Sequence, residues 1–171
     1  MATVGIWNAY QPLLWTLMPI TIDMMDRKIL AALQENGRIQ NTELAAKVGL
    51  SPSPCLRRVR ILETEGVIAG YTALIDGRDV GLPLIIFVRV ALERQDKTGV
   101  DRFSKAIAAA PAVMECYLMA GTYDFLLKVS VRDLEEYQRF QMQHLTREVG
   151  VSNVVTEIPL KKVKSTTALP L

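Results

Sequence analysis

Apolar residues recur at helical spacing from Met25 to Leu62 and at strand spacing from Leu84 onward. Met25, Ile29, Leu30 and Leu33 predict a first helix. Asp23 is placed to cap it, with Asp26 in the first turn, where a carboxylate suits the exposed backbone N–H groups, and Gly37 ends the segment. Asn41 reads as the cap of a second, very short helix carrying Leu44, Ala45 and Val48, broken by Gly49. A third helix follows Ser51-Pro52-Ser53-Pro54. The favoured register has Ser53 as cap and Pro54 first in the helix, because a residue before proline avoids the helical region; Ser51 with Pro52 is the alternative. Gly66 closes this helix, and Val67 to Ile75, which includes Tyr71, reads as a strand.

Asp76 to Pro83, with two glycines, reads as a hinge. Beyond it the order is β-α-β-β-α-β. Strands are predicted at Leu84–Leu92, Val113–Met119, Tyr123–Val131 and Val154–Leu160, and helices at Val100–Ala110 and Asp133–Val149. The class is therefore α+β, with a four-stranded antiparallel sheet and both helices on one face. The other face must be covered, and a second copy of the chain is the economical cover.

Composition changes this picture in one place. The 171 residues are 50% hydrophobic with a net charge of +2, which argues against a disordered or tail-like protein. Mean hydropathy is +0.18, and the excess is local: residues 1–22 hold both tryptophans, Trp7 and Trp15, and no charged side chain. No basic residue precedes this stretch, and Asn8, Gln11 and Pro12 interrupt it, so it is a poor secretory signal. Its longest clean run, Leu13 to Ile20, is shorter than a membrane span and contains Thr16 and Pro19. It reads as a loosely ordered extension, and Met18 or Met24 gives a more ordinary start. Two cysteines are too few for a disulfide framework, so a reducing, cytoplasmic location away from membranes is expected.

Charge is segregated rather than abundant. Residues 23–76 carry seven basic and seven acidic side chains, yet Ser53 to Leu62 holds three arginines and no acid. On a helical wheel Cys55, Val59 and Leu62 share one face with Leu56 beside it; Arg57 and Arg60 lie opposite, and Arg58 sits on the flank. Ala45 and Gly49 allow the preceding helix to approach closely and turn. An apolar inner face and an arginine outer face suit a recognition helix reading base edges or clamping phosphates. A solvated helix face is the competing reading.

Ile22-Asp23, Asp26, Ile29-Leu30, Leu33 and Gly37-Arg38-Ile39 resemble the opening of the leucine-responsive regulatory protein/AsnC family. The likeness continues through Glu43-Leu44-Ala45, Val48-Gly49-Leu50-Ser51, Arg58-Val59-Arg60, Leu62-Glu63, Gly66-Val67-Ile68 and Gly70-Tyr71. Downstream, Gly121-Thr122-Tyr123-Asp124 resembles the same family's effector signature. The resemblance implies a winged-helix-like helix-turn-helix domain over 22–70 and a connecting strand and hinge over 71–83. It further implies a ferredoxin-like effector-binding and oligomerisation domain over 84–164, leaving an extension at 1–21 and a tail at 165–171. The implied partners are double-stranded operator DNA, a small effector that is an amino acid, and the chain itself as a homodimer and a higher even oligomer such as an octamer. On this reading Ser51, Ser53, Arg57, Arg58 and Arg60 face DNA. Ile61 stands where relatives often carry a polar or basic residue, which bears on base preference.

In the Gly121–Asp124 turn, glycine can bring backbone N–H groups to a ligand carboxylate while Asp124 accepts from its ammonium. A simple hairpin turn capped by Asp124 is the competing reading. Thr122 replaces an acidic residue frequent in relatives, which bears on ligand preference. Val151, Ser152 and Thr156 are candidates to complete the pocket across a contact between dimers. His144 reads as a surface histidine, Cys55 and Cys116 as small hydrophobes, and Lys161, Lys162 and Lys164 as a solvated end or an extra phosphate contact. No metal-ligand spacing, phosphate loop or nucleophile–base pair stands out, so neither metal, cofactor nor enzyme activity is expected. The competing functions are an architectural DNA-organising protein with little ligand control and, less favoured, an enzyme built on the ferredoxin-like domain.

Overall fold

A computed structural model describes residues 21–171, so the expected extension lies, apart from Thr21, outside the described residues. The chain forms two compact units: one ends at Thr72 and also takes in Thr166–Leu171, and the other is Ala73–Ser165.

The first unit holds α1 (Met24–Glu35), α2 (Asn41–Val48) and α3 (Pro52–Thr64). Asp23 begins α1 with a reciprocal capping box: its carboxylate accepts from the Asp26 N–H at 2.8 Å, and the Asp26 carboxylate accepts from the Asp23 N–H at 3.2 Å. Ile29, Leu44, Ala45, Val48, Cys55, Val59 and Leu62 form the buried core, which requires each short helix to present one apolar face inward. Gly49 ends α2 in the left-handed region at φ 77°, and Leu50 N–H returns to Ala45 O at 2.8 Å.

Three local expectations change here. Gln40, not Asn41, occupies the cap of α2; Asn41 is the first helical residue, and its amide donates to Pro52 O at 2.9 Å, tying α2 to the start of α3. Helix α3 starts at Pro52 behind Ser51, the alternative register. Both prolines then sit in the first turn, where no backbone N–H is needed for the helix, so the two lost donors cost little. Val67–Ile75 forms no strand. Leu74 and Ile75 are 78% and 70% exposed there, and strand propensity without a neighbouring backbone to pair with makes no ladder.

The second unit contains β1 (Leu84–Leu92), α4 (Lys97–Ala108), β2 (Val113–Leu118), β3 (Phe125–Val131), α5 (Leu134–His144) and β4 (Val151–Glu157). All pairings are antiparallel in the order β2-β3-β1-β4. Ile86, Val88 and Val90 of β1 and Leu127 and Val129 of β3 are buried in one cluster with Phe103 and Ile107 of α4 and Tyr137 and Phe140 of α5. Alternate burial along β1 and β3 follows from a sheet covered by helices on one side.

The boundaries move for identifiable reasons. Asp96 caps α4 through the Gly99 N–H at 2.8 Å, so the helix begins ahead of Val100. A Cβ at position 99 would stand 2.3 Å from Arg94 O, so only glycine fits this close approach. The expected long helix from Asp133 stops at His144, followed by a 3-10 turn at Arg147–Val149 and left-handed Gly150 at φ 89°. Strand β4 therefore starts at Val151 in register with Leu92 and ends at Glu157 rather than Leu160. Strand β3 starts at Phe125, after Asp124 has turned the chain, and the hinge contains a 3-10 turn at Gly77–Val80.

Candidate nucleic-acid interface and effector turn

Helix α3 divides its side chains as its spacing dictates. Cys55, Val59 and Leu62 are buried; Ser51, Ser53, Arg57 and Arg60 are exposed, and Ile61 is 39% exposed. Neither Arg57 nor Arg60 has a side-chain partner among the described residues, so both guanidinium forks remain available to an external anion.

Arg58 behaves differently. Its Nη1 donates to Asp23 Oδ2 and Asp26 Oδ1, both at 2.8 Å. The clamp joins the flank of α3 to the first turn of α1, and Asp26 within it is only 9% exposed. The Asp26 N–H and then Arg58 hold the Asp23 carboxyl below its ordinary range, while the two carboxylates raise the Arg58 guanidinium. Arg58, which the sequence placed on the DNA side with Arg57 and Arg60, is thus the one of the three whose guanidinium is bonded within the unit.

At one end of the sheet, the Gly121–Asp124 turn runs beside the last residues of β1. Asp124 N–H donates to Val90 O at 2.9 Å, and its Oδ2 accepts from Leu92 N–H at 2.7 Å. The carboxylate is thus fixed by one oxygen, while Oδ1 has no hydrogen bond among the described residues. Tyr123 lies against Arg89, whose guanidinium carbon is 5.5 Å from the ring centroid. Gly121 and Thr122 are exposed.

Val151 and Ser152 reach the same end of the sheet from the other side of β1. Val151 is in register with Leu92, and Ser152 Oγ donates to Ala91 O at 3.0 Å. Thr156 is not brought to the turn. It lies in register with Val88, and its hydroxyl bonds Tyr137 Oη at 2.6 Å under α5. A cleft of about 170 Å³ adjoins the start of β4 between Arg94, Asp96, Arg102 and Gly150. The sequence reading missed this cleft, because Gly150 meets Glu93 only through the β1–β4 pairing.

The sheet face away from α4 and α5 carries Phe87, Arg89, Tyr117, Leu126, Lys128 and Val155. Tyr117 and Val155 are 51% and 42% exposed. Ion pairs join Arg89 to Glu157 and Lys128 to Glu115, and Arg89 Nε is buried without a hydrogen-bond partner. The face mixes apolar area with fixed charge pairs.

The other residues singled out by the sequence lie apart from both places. His144 is half-buried against the Phe140 ring at 5.2 Å rather than free on the surface. Cys55 is buried, which pushes its thiol up, whereas Cys116 is exposed on edge strand β2. Among the described residues no group of three or more His, Cys, Asp or Glu could hold a metal ion. No helix among them is long and apolar enough to cross a membrane.

Two family models match the chain. Residues 22–69 match the family described as winged helix-turn-helix DNA-binding, and residues 85–169 match the Lrp/AsnC ligand binding domain. The chain is 42% identical over 150 residues to the leucine-responsive regulatory protein of Haemophilus influenzae, covering 88% of this chain and 90% of that one. A transcriptional regulator from Neisseria meningitidis, solved as an L-Met complex, is 39% identical with a TM-score of 0.83, covering 88% of this chain and 97% of that chain. An AsnC family transcriptional regulator from Agrobacterium tumefaciens is 36% identical with a TM-score of 0.82, covering 86% of this chain and 96% of that chain.

Proposed function

The chain belongs to the Lrp/AsnC family of transcriptional regulators, a DNA-binding regulator with an amino-acid-binding domain, and from that premise we propose how its residues divide the work. The outer face of α3 enters the major groove, with Arg57 and Arg60 as groove or phosphate contacts and Ser51 and Ser53 as phosphate contacts near the helix start. Arg58 is a positioning residue that sets α3 through Asp23 and Asp26. The observation that carries this reading is the contrast on one helix between two unpartnered arginines and one doubly bonded arginine.

The effector is an apolar α-amino acid. L-methionine and L-leucine are the first probes, because the Neisseria meningitidis relative was solved with L-Met and the Haemophilus influenzae relative is named leucine-responsive. Its ammonium meets the free Oδ1 of Asp124, and the backbone of Gly121–Thr122 takes its carboxylate, with Val151 and Ser152 at the same end of the sheet. Thr156 supports this end only through α5. The mixed sheet face away from the helices meets a second copy, and dimers assemble further, which sets two recognition helices roughly 34 Å apart, one DNA turn. The chain works in the cytoplasm as a non-enzymatic regulator.

Duplex DNA from upstream of its own gene, titrated with the full chain in excess random-sequence competitor, gives the test. Saturable, site-limited protection is expected; binding that follows total DNA irrespective of sequence contradicts a specific regulator. A second reading, an architectural protein with little ligand control, draws on the bond that Asp124 already makes to Leu92. Thermal shift against the twenty amino acids separates the two, since the architectural reading requires no response to any of them.

A further inference from the structure

Two separate segments of the chain meet the first unit near the end of α1. Tyr71 lies just before the passage from the first unit to the second at Thr72 and Ala73. Its ring packs over Gly37, where a Cβ would stand 3.3 Å from Cδ1, and its hydroxyl donates to Glu63 at 3.0 Å. Gln34, in the last turn of α1, meets a different segment. Its Oε1 accepts from Leu169 N–H at 2.6 Å, and its Nε2 donates to Leu169 O at 3.2 Å. Leu169 belongs to Thr166–Leu171, which joins the first unit although it follows the whole of the second.

A side-chain amide that takes both backbone groups of one residue imitates a strand pair and fixes an extended segment in direction and register. The flanking residues suit that geometry. Ala168 N–H donates to Thr166 Oγ1 at 3.1 Å, and Pro170 has no N–H left to satisfy. The chain therefore passes between its units twice; Tyr71 holds the first passage to Gly37 and Glu63, and Gln34 in the last turn of α1 holds the second.

We propose that the last turn of α1 is a docking site for the chain's own C-terminal tail, and that the docked tail straps β4 to the helix-turn-helix. No helix or strand intervenes between the end of β4 at Glu157 and Leu169. On this proposal the covalent run from β4 to the docked Leu169 carries a displacement of β4 on amino-acid binding to Gln34, and the Asp26–Arg58 bond joins α1 to α3. The regulatory consequence rests on the effector reading given above; the docking itself does not.

Two variants of the full chain test it: Gln34→Ala, and a chain stopped after Ser165. Hydrogen exchange reads the docking, and both variants should speed exchange of the amides in the last turn of α1. Unchanged exchange in both overturns the docking. A 1:1 mixture of the two variants, co-refolded, distinguishes the source of the tail, since each supplies what the other lacks. Protection restored by mixing means the tail docks on a second copy and overturns the in-chain strap. The coupling is read as the ratio of DNA affinities with and without saturating L-methionine. In both variants it should fall to within about twofold of one, while affinity without amino acid stays within about threefold of the parent. A responsive parent with equally responsive variants overturns the strap; an unresponsive parent overturns the effector reading and leaves exchange to decide the docking.

Discussion

The outer face of α3 and the Gly121–Asp124 turn both carry charge, but they hold it differently. Arg57 and Arg60 have no partner among the described residues, whereas Asp124 has one oxygen fixed by Leu92 N–H. A polyanion is large and its phosphates are many, so an interface for it needs charges that are presented and left unpaired. A small ammonium instead requires an acceptor whose direction is set beforehand, and fixing one carboxylate oxygen accomplishes that. Arg58 illustrates the boundary: it lies between Arg57 and Arg60 in the α3 sequence, yet its guanidinium is bonded to Asp23 and Asp26, and the proposal gives it the task of holding the face in place.

The largest effect is expected where charge is free. Replacing Arg57 and Arg60 together by Ala should weaken DNA binding by at least roughly tenfold at physiological salt, measured by fluorescence anisotropy, with thermal stability nearly unchanged. Asp26→Asn loosens the clamp instead. It should destabilise the first unit by about 1–2 kcal/mol in urea unfolding, because the Asp26 carboxylate is buried and bonded to a cation. Its DNA affinity should fall less than that of the arginine pair; a larger fall would make Arg58 a direct contact after all.

Asp124→Asn sharpens the other side of the contrast. The amide oxygen can still accept from Leu92 N–H, but the charge proposed to meet an ammonium is gone. DNA binding without amino acid should stay within about twofold of the parent, while the calorimetric signal for L-methionine disappears. Retained affinity for the amino acid would move the site elsewhere, the cleft beside Gly150 being the next candidate.

The smallest effect is one of pH. The Asp23 carboxyl is lower in the folded chain than in the unfolded one, chiefly through the Asp26 N–H and then Arg58. Its contribution is therefore complete above the unfolded value of about 4 and is lost as pH falls through the lower folded value. Stability of the parent should be flat with respect to this group from about pH 7 to 5, and the gap between parent and Arg58→Gln should narrow only below that range. A gap that narrows between pH 7 and 5 would assign the linkage to another group.

Local chemistry was legible in the sequence and cross-chain chemistry was not. Asp23 and Asp26 are three residues apart, so their capping box can be read from the chain, as can the left-handed glycine at position 49. The wheel separated Arg57 and Arg60 from Cys55, Val59 and Leu62 because helical periodicity alone decides it. The bond from Arg58 to Asp26 spans 32 residues, as does that from Leu92 to Asp124, and no periodicity encodes either. The start of β4 was placed late because register with Leu92, rather than side-chain preference, makes Val151 the first strand residue. At Ser51–Pro54 two prolines each permit a helix start, and packing of the Pro52 carbonyl against Asn41 accompanies the earlier one.

The unpaired arginines, and not the clamped one, are proposed to carry the DNA. The most direct measurement is the dependence of DNA affinity on salt between about 50 and 200 mM for the parent, the Arg57→Ala/Arg60→Ala pair and Asp26→Asn. Loss of two phosphate contacts should lower the slope of log affinity against log salt by about two units per bound chain in the arginine pair. Asp26→Asn should give a line displaced from the parent but parallel to it. Parallel lines for the arginine pair, or a shallower line for Asp26→Asn alone, would contradict the division of labour along α3.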